Sequence, residues 1–315
     1  MNTSSRRRFL AQSLLATSAV ASATLLGTPG RLWAAGQSGA SPLLTRPVPS
    51  TGQQLPVIGA GTSGSYDVDF GTPEYQALEE VARIFFEGGG AVIDTSPNYG
   101  RSDAVVGRLL ADGGWRDRCF LATKIAADSR EAAQAQWAES LRRLRTDRVE
   151  LLQVHNMRDW RRQLPYAREL KAQGKAKYVG ITHYTDAGLA EMEQILRTEA
   201  LDFIQIHYSV NSTNAAKTVL PLAQDRGVAV LINRAFDDGR LFAQVRGKPL
   251  PGWAAEVGVG SWAQMFLKFA ISHPAVTVVI PATGKPERQR DQLAAGTGPL
   301  LDQAQQRELV RMFSA

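Results

Sequence analysis

Short apolar runs recur along the chain, and each is followed by a longer stretch whose hydrophobic positions fall at helical spacing. The short runs are PVIGAG, AVIDT, CFLATK, VELLQV, YVGIT, FIQIH, VAVLIN and VTVVIP. Amphipathic segments over 72–87, 102–111, 129–144, 160–173, 186–197, 214–226, 261–272 and 286–294 follow them in turn. Runs such as VAVLIN are apolar throughout rather than alternating, as in strands covered on both faces. Eight strands, each trailed by a helix, predict an α/β chain folded as a (β/α)8 TIM barrel. Ser129, Asp186 and Ser261 stand where side chains cap helix starts, and Pro73 and Pro286 suit a first turn. A doubly wound sheet fits less well. IGAGTSG is glycine-rich, but it lacks the GxGxxG spacing and no helix stands directly behind it.

The leading residues break this rhythm. SRRRFL at 5–10 sets paired arginines before an apolar, charge-free run to about Leu26, and small residues follow in RLWAAG. This pattern predicts a twin-arginine signal peptide over residues 1–35, cut near Ala34 or Ala35. The run is rich in Ala, Ser and Thr and falls short of the roughly 20 strongly apolar residues of a membrane span. No other segment is long and apolar enough, so no span is expected in the mature protein. Residues 36–50 are expected as a flexible lead-in and 51–315 as a single barrel domain. The expected location is periplasmic, with the twin-arginine export machinery as a partner.

Removing that segment changes what the charge means. The full chain has 36 basic and 30 acidic residues, a net +6. Arg6, Arg7, Arg8 and Arg31 lie in the leading part, which has no acid, so the remainder carries +2. The basic balance is therefore no argument for nucleic acid. Cys119 is the only cysteine, it precedes an apolar run, and it is expected as a buried small hydrophobe. The histidines and this cysteine show no zinc-ligand spacing, so no metal is expected.

Candidate chemistry sits where apolar runs end. Asp94 and Tyr99 fall in AVIDTSPNYGRS, Lys124 in CFLATKI and His155 in VELLQVHNM. Parallel barrels keep their chemistry at those strand ends. An acid, a phenol, an amine and an imidazole brought together make a proton-donating site for a carbonyl. A free phenol has a pKa of about 10, and a neighbouring ammonium lowers it. Lys124 is the candidate cation and Asp94 its counter-ion. Tyr99 is the candidate acid, and His155 a donor that orients the substrate oxygen. Singly, each has a plainer reading as a turn cap, packed ring, snorkelling amine or strand terminus. Asp69, Asp103, His207 and His273 belong to no comparable group and are expected in surface or packing roles.

In order along the mature length come IGAGT, VIDTSPNYGRSDAVVGRLL, FLATK, LLQVHN, GKAKYVGITHY, DFIQIHYS and VVIPATGKPER. On these the chain resembles the aldo-keto reductase superfamily. The resemblance implies a barrel that binds a nicotinamide dinucleotide in extended form across the strand ends, with Asp94, Tyr99, Lys124 and His155 as its catalytic residues. It also implies cofactor contacts. Thr182 and His183 stand where the family presents a Ser-Asn pair to the carboxamide, and Gln205 matches the usual amide. Many members stack an aromatic where Asn233 and Arg234 stand. Phe236 is a substitute surface and Arg234 a diphosphate contact in this reading. Thr283, Arg288 and Gln292 match the adenosine-phosphate pocket, while Ala282 replaces a frequent lysine. NADP(H) is favoured, with NAD(H) as the alternative.

Substrate size is poorly encoded. Tyr66, Phe70 and Trp160 are the expected apolar walls of an open carbonyl site. The expected activity is NAD(P)H-dependent reduction of aldehydes or ketones to alcohols, by a chain for which a monomer is plausible. The second reading is a catalytically weak nucleotide-binding sensor or interaction protein, motivated by His183 and Asn233.

Overall fold

The alternating positions of the barrel strands divide the apolar residues into two sets, one inside the ring and one under the helices. The structure, a computed structural model, describes residues 42–313. The expected signal peptide, and residues 36–41 of the expected lead-in, lie outside the described residues. The strands are β1 (Thr45–Pro47), β2 (Gln54–Pro56), β3 (Ala60–Gly61), β4 (Val92–Asp94), β5 (Phe120–Ile125), β6 (Val149–Val154), β7 (Ala176–Thr182), β8 (Phe203–His207), β9 (Ala229–Asn233) and β10 (Val278–Val279). β3 to β10 pair in parallel in sequence order. Parallel bridges Ile58–Val279 and Gly61–Ala282 join the last segment to the first and close the ring. A Cβ at Gly61 would stand 2.7 Å from the Ile280 carbonyl oxygen, so this seam needs glycine. All eight expected barrel strands are present, as is the (β/α)8 architecture.

The helix starts follow local chemistry. Ser129 caps the helix Arg130–Leu144, its side chain accepting from Ala132 N. Ser261 caps the helix Trp262–Ser272, its side chain accepting from Gln264 N. Thr72 does the same for Pro73–Glu87, accepting from Tyr75 N, and Pro73 and Pro286 occupy first turns. Asp186 is a correction. It opens a short 3-10 turn, Asp186–Gly188, ahead of the helix Leu189–Thr198 and caps neither. Its carboxylate accepts instead from Ser212 Oγ and Asn214 Nδ2, both at 2.7 Å, and so ties two loops together.

The expected domain start at residue 51 falls inside the β1–β2 hairpin, so residues 45–50 are built structure rather than lead-in. Val48 and Leu55 of this hairpin are buried and close the barrel floor beside Phe120, Tyr178 and Phe203. The Tyr178 hydroxyl lies 2.6 Å from Thr51 Oγ1 and donates to Gln53 Oε1 at 2.9 Å. The lower interior is thus apolar, and its one phenol is satisfied by the hairpin. The outward set, including Leu121, Leu152, Ile181, Ile204 and Ile232, packs in the larger cluster with the helices. Cys119 is buried and unpaired by any disulfide. Among the described residues, no helix is long and apolar enough to cross a membrane.

Candidate active site

Above the apolar floor the inward positions turn polar. Asp94 ends β4, Lys124 lies near the end of β5, Gln153 sits in β6 and Gln205 in β8. All four are buried. Lys124 Nζ donates to Asp94 Oδ2 at 2.6 Å and to the Thr95 carbonyl at 2.9 Å. Gln153 Nε2 and Gln205 Nε2 each donate to Asp94 Oδ1 at 2.9 Å. Both carboxylate oxygens therefore have partners, as a desolvated charge requires. Lys124 keeps its charge: burial pulls its pKa down, but Asp94 and then Tyr99 raise it, and the net shift is upward.

Tyr99 is aimed by a turn rather than a strand. Its N–H donates to the Ser96 carbonyl at 3.0 Å, and Gly100 follows with φ of +61°. A Cβ at Gly100 would strike the Asp67 carboxylate, which accepts from Arg101 N at 3.0 Å. The glycine lets the loop after β4 lie against the loop after β3. The Tyr99 ring centroid lies 5.1 Å from Lys124 Nζ and 5.7 Å from the His155 ring, edge to face.

The direction of the Tyr99 shift corrects the sequence expectation. Burial raises its pKa most, the charge of Lys124 lowers it, Asp94 raises it, and hydrogen bonding to Lys124 lowers it; the net result lies above 10. Desolvation of the phenolate outweighs the cation. The phenol therefore stays protonated at neutral pH, with the Lys124 charge opposing part of the rise.

His155 opens the turn after β6, with Asn156 and Met157 at positive φ. Asn156 N donates to Thr182 Oγ1 at 2.9 Å. Burial, then the charge of Lys124, push the imidazole pKa down to about 3, so the ring is neutral across the ordinary range. Among the described residues, six of the seven non-glycine residues at positive φ follow β6 or β9, which places the backbone strain at this rim.

A cavity of about 1240 Å³ opens over these groups. Asp94, Tyr99, His155, Thr182, Gln205 and Asn233 line it, and so do Arg288 and Gln292. Lys124 lies beneath it. Asn233 Nδ2 donates to the His183 carbonyl at 3.1 Å and to Gln205 Oε1 at 3.3 Å, while Asn233 Oδ1 is buried without a partner. Gln292 Oε1 is also buried and unpartnered. Arg288 is exposed and makes no ion pair among the described residues. Arg234 lines the cavity, but its guanidinium donates to the Tyr184 carbonyl and pairs with Asp237 and Asp238, so its charge is largely matched already.

Several expected contacts are elsewhere. The His183 ring is turned against Gly188, accepts from Thr185 N at 3.2 Å and stacks on Tyr184; it does not line the cavity. Thr283 is buried and accepts from Lys285 N, holding the turn before Pro286–Ala294. Tyr66 is buried in the core, where desolvation raises its pKa. Phe70 stands outside the cavity, edge-on to Tyr75 under Arg108. Trp160 donates to Glu191 Oε1 on the outer helical layer. None of these three lines the cavity wall. The apolar lining comes instead from Phe236, Phe242 and Trp262. Of these only Phe236 stood out in the sequence. Gln153 and Ser96 were missed as well. Gln153 carried a signal, being a polar residue two positions before His155 and directly after the apolar pair Leu151–Leu152.

Residues 57–311 match the sequence model of the aldo/keto reductase family. The chain belongs to that family. It is similar to the aldo-keto reductase YhdN of Bacillus subtilis, 29% identical over 213 residues, which span 62% of each chain. It is also similar to an aldo-keto reductase of Mycolicibacterium smegmatis, 28% identical over 250 residues, 71% of this chain and 80% of the other. Among solved structures, an aldo/keto reductase of Klebsiella pneumoniae in complex with NADP and acetate has a TM-score of 0.70 at 24% identity. That likeness covers 84% of this chain and 93% of the Klebsiella chain. In this aldo/keto reductase the floor hairpin lies before the matched segment, whereas all four residues of the Asp94, Tyr99, Lys124 and His155 group lie within it.

Proposed function

We propose that this aldo/keto reductase reduces aldehydes or ketones to alcohols with NADP(H). The observation that carries this reading is the buried Asp94–Lys124 pair beside Tyr99 and His155, which line the same cavity as Arg288 and Gln292. Tyr99 and His155 would hold the substrate oxygen. As charge develops there, Tyr99 gives up its proton, and Lys124 stabilises the phenolate left behind. Asp94, fixed by Gln153 and Gln205, keeps the ammonium in place.

The cavity fits a dinucleotide. Thr182, Gln205 and Asn233 would hold its nicotinamide end, and Asn233 Oδ1 is free to accept. Gln292 and the unpaired Arg288 would hold its adenosine end, and a guanidinium suits a phosphate, which favours NADP over NAD. When bound, the cofactor supplies the hydride taken up by the substrate carbon. The sensor alternative is not favoured, because the catalytic group is assembled and its Asp94–Lys124 pair is fully partnered.

The test is purified protein supplied with NADPH and a panel of aldehydes and ketones, with NADPH absorbance followed over time. Turnover of at least one carbonyl is expected. Stoichiometric nucleotide binding with no turnover across the panel would instead support the sensor reading. For location, the paired arginines ahead of the leading apolar run support export to the periplasm by the twin-arginine route. Replacing Arg6 and Arg7 by Lys should hold the protein in the cytoplasm, and continued export of that variant would refute the route.

A further inference from the structure

Ser96 is fully buried between two catalytic residues in sequence, and it touches a third. Its Oγ lies 3.1 Å from His155 Nδ1 and accepts from Asn98 N at 3.3 Å. A hydroxyl carries one hydrogen. Among the described residues, His155 Nδ1 is the one acceptor within reach of it. If Nδ1 carried the proton it would donate to Ser96 Oγ, and the buried Ser96 hydrogen would be left without an acceptor.

The consequence falls on the other ring nitrogen. A neutral imidazole has one N–H, and the partner of one nitrogen decides which nitrogen bears it. His155 lines the cavity, and its Nε2 has no partner among the described residues. With Nδ1 accepting from Ser96, Nε2 carries the hydrogen and can donate to a substrate oxygen. With the opposite tautomer, Nε2 would present a lone pair and repel that oxygen.

We propose that Ser96 is a positioning residue: by donating its hydroxyl hydrogen to Nδ1 it holds His155 as the Nε2–H tautomer needed to orient a carbonyl. The catalytic value of this arrangement rests on the carbonyl-reducing function proposed above, whereas the tautomer itself does not. The depressed pKa of His155 agrees with it, since a neutral ring has a tautomer to fix.

The test is two-bond 1H–15N correlation spectroscopy of the full chain labelled with 15N-histidine at neutral pH. The protein has 4 histidines, and His155 is assigned by the signal lost in His155→Asn. The wild-type spectrum should show Nε2–H at His155, with the other tautomer disfavoured roughly tenfold or more. Ser96→Ala should bring in the Nδ1–H form and lower kcat by about tenfold, with nucleotide binding unchanged. Nδ1–H or a doubly protonated ring in the wild type would overturn the proposal. So would an unaltered tautomer in folded Ser96→Ala. Lack of carbonyl turnover by the wild type would count against the proposed activity, while the wild-type spectrum would still decide the tautomer.

Discussion

The two halves of the barrel interior share barrel strands and their alternation, with a hairpin added below, yet they are made of opposite materials. The lower half, around Val48, Leu55, Phe120, Tyr178 and Phe203, is filled by volume. The upper half, around Asp94, Lys124, Gln153 and Gln205, is filled by charge and amide groups that satisfy one another. The lower half gains from every apolar surface it removes from water. The upper half desolvates an ion pair, which often contributes no net stability. On this contrast we assign support of the fold to the floor and, at some cost to stability, the proposed chemistry to the rim.

Removing one charge from the rim should have the largest effect. Lys124→Met leaves Asp94 buried with only amide partners. It should lower turnover by about 10²-fold or more and destabilise the protein by about 3–5 kcal/mol in urea unfolding. Asp94→Leu combined with Lys124→Met should recover most of that stability and none of the turnover. A double variant as unstable as the single one would show that the pair holds the fold together after all.

Phe203→Ala tests the other half. It should cost about 3–5 kcal/mol by the same unfolding assay, with kcat of the folded enzyme unchanged well below its Tm. A fall in kcat at constant folded fraction would show that the floor takes part in the chemistry.

Acid should separate the halves next. The His155 pKa is about 3 in the folded chain, against an ordinary value of 6.5. Below 6.5 the unfolded chain takes up this proton first, so the histidine's contribution to stability is full above 6.5 and is lost as pH falls towards 3. Urea midpoints of His155→Asn should therefore fall less steeply than those of wild type in that window. Equal slopes would contradict the neutral, buried ring. The smallest effect is expected for Tyr178→Phe, which removes the hairpin contacts to Thr51 and Gln53. It should cost about 0.5–1.5 kcal/mol in urea unfolding without altering the acid slope.

Much of this architecture was legible in the chain. The eight apolar runs became the eight barrel strands, and Ser129 and Ser261 became caps because their neighbours alone decide that role. The floor hairpin was not legible. Its strands TRP and QLP are three residues each and carry too little alternation to show a period. In the site, Asp94, Lys124 and His155 were legible because each ends an apolar run, and Tyr99 because it follows one closely. The direction of the Tyr99 shift was not, since burial belongs to the assembled fold and not to neighbours in sequence. Tyr66, Phe70, Trp160 and the His183 ring were misplaced for a related reason. Hydrophobicity says that a loop residue is buried or packed, but not towards which side its loop turns.

In the proposed reaction Tyr99 supplies the proton, while the rest of the site binds without it. Tyr99→Phe keeps the ring and removes only the hydroxyl, so turnover and nucleotide binding should part company. Titration with NADPH, read by protein fluorescence, should give an affinity close to wild type, while carbonyl turnover falls by about 10²–10⁴. Turnover retained at the wild-type rate in the folded variant would contradict the account.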